Sequence, residues 1–350
     1  MNKLIKSTGL TRRHTLALGG AALATPFLAS TALGASEFRI LAWEGYADDT
    51  WVKEFEKTNG VSTNVVYVGS VDEMFAKMQG SKGADFDVVS FDTSAFDRYL
   101  SADLLQPIDL SKVPNAANIM PSFSNVEAII RDGEQYGAPF TWGSLAMIYD
   151  KDAFSAPPES WEVMWDPAHT QQLIALDDAN NSIVLAAMVL GLPDPFNLSD
   201  AEFDLVKAKL IAQKQVLLTY YAGFDEGVSI FANSGVKAMF SMGEAQLQPL
   251  IDKGVNAALH IPKEGAIGWL DCWTISKGAQ DVDLAHAWID VCLKNSVGQH
   301  LTEAYGYGNA TDPAVNEAAN MTYSDQLVWL ATPEDFEKRV AVWNEVKAAS

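Results

Sequence analysis

Two cysteines, five histidines and only 24 lysines and arginines are what this 350-residue chain has little of. Cys272 and Cys292 stand alone, with no paired spacing of the kind that holds zinc or carries redox chemistry. An exported chain permits a disulfide between them, and two buried free thiols fit the sequence equally well. His169, His260, His286 and His300 are scattered, without ligand spacing. There is no GxSxG, HExxH, GxGxxG or P-loop, so the common hydrolase, metalloprotease and nucleotide signatures are missing. The 45 acids give a formal charge of -21, which repels nucleic acid and anionic lipid and suits cationic partners. Repeats, low-complexity tracts and heptads are lacking too, which argues against a solenoid or coiled coil.

Long apolar stretches are confined to the start. Thr11-Arg12-Arg13 precedes a small, apolar segment from Leu16 to Leu33, followed by Gly34-Ala35. Residues 1–35 therefore read as a cleaved export signal, of the twin-arginine or the general secretory type, with a membrane anchor as the alternative. Gly19-Gly20 and Pro26 interrupt the segment and count against a stable span. Cleavage would remove Lys3, Lys6, Arg12 and Arg13 and take the formal charge to -25. About 315 residues would remain, enough for two domains.

What is present begins with alternating elements. Phe38–Trp43, Val61–Val68 and Asp87–Phe91 read as strands, with helices from Asp48-Asp49 to Lys57 and over Asp72–Met78 between them. That order predicts an open α/β sheet with crossover helices and a ligand site beyond the strands' carboxyl ends. Trp43, Glu44 and Tyr46 lie at the first such end, and Asp92 and Ser94 at the third. Tyr136–Tyr149 is extended and apolar and reads as a passage into a second lobe. That lobe holds a strand over Leu173–Leu176, helices over Ser182–Leu190 and Ser199–Lys214, a strand over Val236–Phe240, and a helix from Ser241-Met242-Gly243-Glu244 to Lys253. Ile261–Ser276 returns to the first lobe. Asp283–Asn295 is expected to be a helix with Leu284, Trp288, Val291 and Cys292 inward, Glu303–Asn309 a loop, and Thr332–Ala349 a terminal helix.

Within the returning stretch, Trp269 and Asp271 are spaced i, i+2, so a strand turns both to one face. A ring beside a carboxylate suits an organic cation. The bland alternatives are lobe packing for Trp43 and Trp269 and helix capping for Asp178.

Taken together, these residues resemble the periplasmic polyamine-binding receptors of ABC importers. The resemblance rests on AWEGY from Ala42, FDVVSFDTSAFD from Phe86, YGAPFTWGSLAMIYD from Tyr136, LDDA from Leu176, IPKEGAIGWLD from Ile261 and YGYGN from Tyr305. It implies a two-lobed periplasmic-binding fold of type II with two hinge crossings. The expected first lobe is 36–141 with 266–320, the second 142–265 with 321–350. It also implies a small cationic amine as ligand, an ABC permease as partner, a periplasmic location, a monomer, no cofactor and no catalysis. By the same resemblance Trp43, Tyr46, Trp269 and Tyr307 supply rings, and Asp178 and Asp271 take ammonium ends.

The departures point to a ligand unlike spermidine in length or charge. Glu44-Gly45 replaces a polar residue followed by an acid, Asp92 a serine, Asn181 a glutamate, and Ser241 a ring. Putrescine, another diamine, or a quaternary or amino-acid ligand all remain open. One rival is an exported hydrolase using Asp178 and Asp271 as a carboxylate pair. The other is an iron receptor, since Tyr220-Tyr221 resembles the tyrosine pairs of ferric-binding relatives. That pair reads better as strand packing.

Overall fold

The structure, a computed structural model, describes residues 37–69 and 71–349. The expected export signal lies outside the described residues. Local sequence chemistry builds the first element pair. Asp48 accepts the Thr50 amide at 2.8 Å and opens the helix Asp49–Asn59, and Gly60, at φ 68°, closes it in the left-handed conformation. Its Trp51, Val52 and Phe55 turn inward, as the period of 3.6 requires.

The protein is an α/β fold of two lobes, each built on a mixed sheet. The first sheet has eight strands, with Gly308–Asn309, Ala138–Leu145, Ala266–Ser276, Val88–Asp92, Glu37–Ala42 and Ser62–Tyr67 in that order. The three earliest strands run parallel, whereas Ala266–Ser276 is antiparallel to both Val88–Asp92 and Ala138–Leu145. Leu105–Gln106 and Leu327–Trp329 pair with the two ends of this long strand. VVSFD, from Val88, is buried throughout, the pattern of a strand covered on both faces. Trp273 of the long strand meets Trp288 edge to face at 5.5 Å, and Phe38 and Phe55 pack against the same indole. The second sheet has the order Thr219–Tyr221, Leu173–Leu176, Ala238–Phe240, Met147–Asp150, Ala257–His260.

Two crossings join the sheets and lie side by side. Ala138–Leu145 runs through Ala146 directly into Met147–Asp150. The return goes from Ala257–His260 through a turn into Ala266–Ser276. Leu145 pairs with Ile267 in one sheet and Met147 with His260 in the other. The IPKEG turn is therefore structural. Gly265 has φ 84°, Glu264 accepts from the Ser160 hydroxyl and the Trp161 amide, and the Trp161 indole donates to the Gly265 carbonyl at 2.8 Å. After Leu327–Trp329 the chain passes over once more, and the helix Phe336–Ala348 packs on Ala179–Val189 and Asp200–Lys214.

Several expectations shift. The helix expected at Ser182 starts at Ala179, because Asp178 caps it. Val282–Cys292 ends before Asn295 and buries Ala285, Trp288, Ile289 and Cys292, a stripe rotated from the expected one. The expected loop over Glu303–Asn309 is helical through Tyr305, and Gly306, at φ 70°, stops it. The terminal helix begins at Phe336 rather than Thr332. Cys272 and Cys292 are both buried free thiols. Tyr220 packs edge-on against Trp343 while the Tyr221 hydroxyl donates to the Phe240 carbonyl, so the two tyrosines serve packing on different neighbours. Among the described residues no helix is long and apolar enough to cross a membrane.

Candidate functional site

Two strand ends and one helix end converge near Asp271, which lies within the long strand Ala266–Ser276. At the first strand's end the chain turns sharply, with the Tyr46 amide donating to the Trp43 carbonyl at 3.2 Å. Gly45 sits in this turn at φ 89°, and a Cβ there would lie 2.7 Å from the Tyr305 ring. The turn brings the Tyr46 hydroxyl to Asp271, where it donates to Oδ2 at 2.6 Å. Trp43 is half-buried and packs against the apolar clusters on both sides of it. Glu44 is exposed on the turn.

Asp92 closes the third strand. Its Oδ1 accepts the Ser94 amide at 2.8 Å and the Ser94 hydroxyl, which starts a short 3-10 turn. In the antiparallel register Asp92 stands opposite Asp271. Opposed residues of such a pair share a face, so the two carboxylates are neighbours. Trp269 shares that face two residues earlier. Its register partner is Gly143, where a Cβ would lie 2.3 Å from the indole.

Tyr307, just beyond the stop at Gly306, completes a chain of rings. It meets Trp269 edge-on at 5.1 Å and Tyr46 edge-on at 6.4 Å, and stacks on Tyr305 at 5.6 Å. Asp178 comes from the other lobe, where its Oδ1 accepts the Asn181 amide at 2.7 Å. It borders a cavity of about 150 Å³ lined also by Leu145, Leu176, Asn181, Tyr221 and Met242. The buried Asn181 Oδ1 has no partner there among the described residues. Asp177 also borders the cavity, and its Oδ1 accepts from the Trp343 indole and from Lys347.

Trp269, Asp271, Tyr46, Tyr307 and Asp92 thus come together, with Trp43 and Glu44 on the adjoining turn and Asp178 approaching from the second lobe. Ser241 is placed differently. Its hydroxyl donates to the Ala146 carbonyl at 2.7 Å and accepts the Gly243 amide, so it fastens the crossing backbone. Sequence reasoning missed Glu244. This buried carboxylate accepts the Ser144 amide at 2.9 Å, the Ser144 hydroxyl at 2.5 Å and the Tyr323 hydroxyl at 2.7 Å. The only sequence signal for it is an acid after Met242-Gly243 at the end of a buried strand, where Gly243 adopts φ 120°.

The electrostatics are those of an anionic pocket. Burial, and then the charge of Asp92, push the Asp271 carboxyl up to about 8, against the Tyr46 hydrogen bond. Burial also raises Asp92, Asp178 and Glu244, each against its own hydrogen bonds. No cation figures among the groups that shift any of the four. Burial and the nearby carboxylates hold the Tyr46 and Tyr307 hydroxyls well above the ordinary phenol range, so they act as donors. Chemically, this is a socket with rings for walls and carboxylates for a floor.

Known proteins share this arrangement's frame. The chain is 26% identical to the spermidine/putrescine-binding periplasmic protein of Salmonella typhimurium, over 90% of this chain and 87% of that one. It is 23% identical to the putrescine-binding periplasmic protein PotF of Escherichia coli, with 88% and 86% covered. In fold it is similar to the spermidine/putrescine ABC transporter substrate-binding protein PotD of Streptococcus pneumoniae, at a TM-score of 0.77, 20% identity, and 90% and 99% coverage. The family model for bacterial extracellular solute-binding proteins matches residues 50–326, four-fifths of the sequence and every element that builds the socket except the turn at Trp43–Tyr46. The chain belongs to the bacterial extracellular solute-binding proteins.

Proposed function

We propose that this chain is a periplasmic receptor that captures a small cationic amine, putrescine or a close relative, between its lobes and hands it to an ABC permease. The observation that carries this reading is Asp271. It is 5% exposed, its side chain takes a single hydrogen bond among the described residues, from Tyr46, and Tyr46, Trp269 and Tyr307 form the rings of its site. A buried carboxylate without a protein cation is costly, and an ammonium ligand would supply the missing charge while its methylenes lie against the rings. The relatives named for putrescine and spermidine support the same class of ligand.

In this reading Trp43, Tyr46, Trp269 and Tyr307 enclose the alkyl chain. Asp92, Asp178 and Asp271 meet the ammonium ends, with Glu44 at the rim. The lobe bounds follow the sheets rather than the expected breaks at 141 and 320. The first lobe is 37–145 with 266–329, because Leu327–Trp329 pairs with Ala266–Ser276, and the second is 147–260 with 336–349. The paired crossings at Leu145–Met147 and His260–Ile267 are the hinge. Ligand bridging Asp271 and Asp178 would favour the closed form, and binding rather than chemistry is the output.

The test is a thermal-shift and calorimetry panel on the chain from residue 36, with putrescine, cadaverine, spermidine, choline and γ-aminobutyrate. A diamine should raise the melting temperature by mass action, and Asp271→Asn should weaken its binding on the order of a hundredfold. A response to choline or γ-aminobutyrate alone would overturn the diamine assignment.

A further inference from the structure

Two acids facing each other across a ladder is an arrangement strands ordinarily avoid, since like charges directly opposite are destabilising. Here Asp92 and Asp271 are cross-strand partners on the site face, 8% and 5% exposed. Their present partners leave capacity unused. Tyr46 holds Asp271 Oδ2, Ser94 holds Asp92 Oδ1, and among the described residues no side chain donates to Asp271 Oδ1. The surrounding groups bring no positive charge to the pair. Asp178 reaches it from the capped helix of the other lobe, Tyr99 and the Cys272 thiol lie close, and no lysine, arginine or histidine contributes.

Resting on the receptor reading, the geometry points to a carboxylate dyad, Asp92 with Asp271, that together grips one primary ammonium head and so sets the receptor's selectivity against quaternary ammonium. A primary ammonium carries three N–H donors and can give one to each carboxylate. A trimethylammonium has the same charge and no donor, and its bulk holds the positive centre away from both oxygens. The rings alone would not separate the two, because cation–π attraction serves quaternary heads as well. Asp92 is therefore the specificity-determining residue, and Asp271 the common anchor. Burial and the facing carboxylate favour the protonated form of Asp271 near neutrality, and an arriving cation beside the pair favours the ionised form. Capture below about pH 8 thus releases a proton to solvent.

The experiment compares 1,4-diaminobutane with its N,N,N-trimethyl derivative by calorimetry at pH 7, in two buffers of different ionisation enthalpy. The wild-type chain, Asp92→Asn and Asp92→Ser are measured in parallel. Asparagine and serine both keep a helix-capping oxygen for the Ser94 amide, and a thermal melt of each variant establishes that it folds. The wild type is expected to prefer the diamine by about tenfold to a hundredfold, the range of one charge-assisted hydrogen bond, and to release protons on binding. Both variants should still bind, with that preference cut at least about threefold and proton release diminished. Equal affinity of the wild type for the two ligands, or an unchanged preference in both variants, would overturn the dyad while leaving the receptor intact. No heat with either cation in the wild type would remove both.

Discussion

Glu244 is held by three donors on one oxygen, Oε1, which takes the Ser144 amide, the Ser144 hydroxyl and the Tyr323 hydroxyl. Those donors come from the first crossing and from the segment leading into the last, so one carboxylate ties a loop of the second sheet to both. Truncation to alanine strands all three donors in a buried place. We expect Glu244→Ala to cost about 3 kcal/mol of stability and Tyr323→Phe about 1 kcal/mol, read from urea unfolding. A loss below half a kcal/mol in Glu244→Ala would mean that water satisfies those donors instead. This residue also shows what a sequence withholds. Trp269 and Asp271 were legible because a period of two is a local property, and the face they share follows from the strand alone. Glu244 depends on partners 100 and 79 positions away, and nothing near it in the sequence records them. Ser241 sits among the residues expected at the site, yet its hydroxyl is committed to backbone that folding alone brings close.

At the level of elements, the neighbouring strands at Trp269 work only because position 143 lacks a side chain. A methyl there would lie 2.3 Å from the indole and 2.7 Å from the Glu244 carboxylate. Gly143→Ala must therefore displace the ring, the acid or the strand. It should lower cation affinity on the order of tenfold, with a loss of stability of about 1–3 kcal/mol. Calorimetry and a melt on the same sample separate the two effects, and unchanged affinity would place the indole outside the binding contacts. Strands and caps were the well-read part of the fold, since Asp48, Ser199 and Gly60 announce helix ends in local chemistry. The helix end at Tyr305 was not, because EAYGYGN holds aromatics and glycines typical of a loop and is helical only as far as Gly306 permits. The rotated stripe of Val282–Cys292 has a similar cause. Leu284 and Val291 are as apolar as Ile289, so composition alone does not choose among them, and Trp288, which meets Phe38 and Phe55, lies on both stripes.

For the whole molecule, the buried acids set an unusual response to pH. Asp271 titrates near 8 in the fold and near 4 when unfolded, so the folded state holds its proton where the unfolded chain has lost it. Its contribution is fully present below about pH 4 and is lost as pH rises toward 8. Asp92, Asp178 and Glu244 are raised in the same direction. Asp87, Asp177 and Asp200 are lowered, and their stabilisation is lost only in acid, below the usual carboxylate range. Between pH 5 and 8 the raised group governs, and the ligand-free protein should melt at progressively lower temperature. Saturating putrescine should flatten that slope by supplying the cation the pocket lacks. A melting temperature that climbs from pH 5 to 8 without ligand would contradict the buried, uncompensated acids.

The two free cysteines turn the same burial into a clock. Cys272 lies beside Asp271 on the long strand and Cys292 ends the helix that carries Trp288, and both thiols are covered and pushed well above their ordinary pKa by burial. Alkylating reagents attack thiolate and need access, so neither sulfur reacts while its surroundings stay closed. At high reagent concentration the labelling rate becomes the rate at which each region opens. Equal rates at the two sulfurs would mean that strand and helix let go as one cooperative unit. A faster Cys292 would mean that the helix peels away before the sheet that holds the socket comes apart.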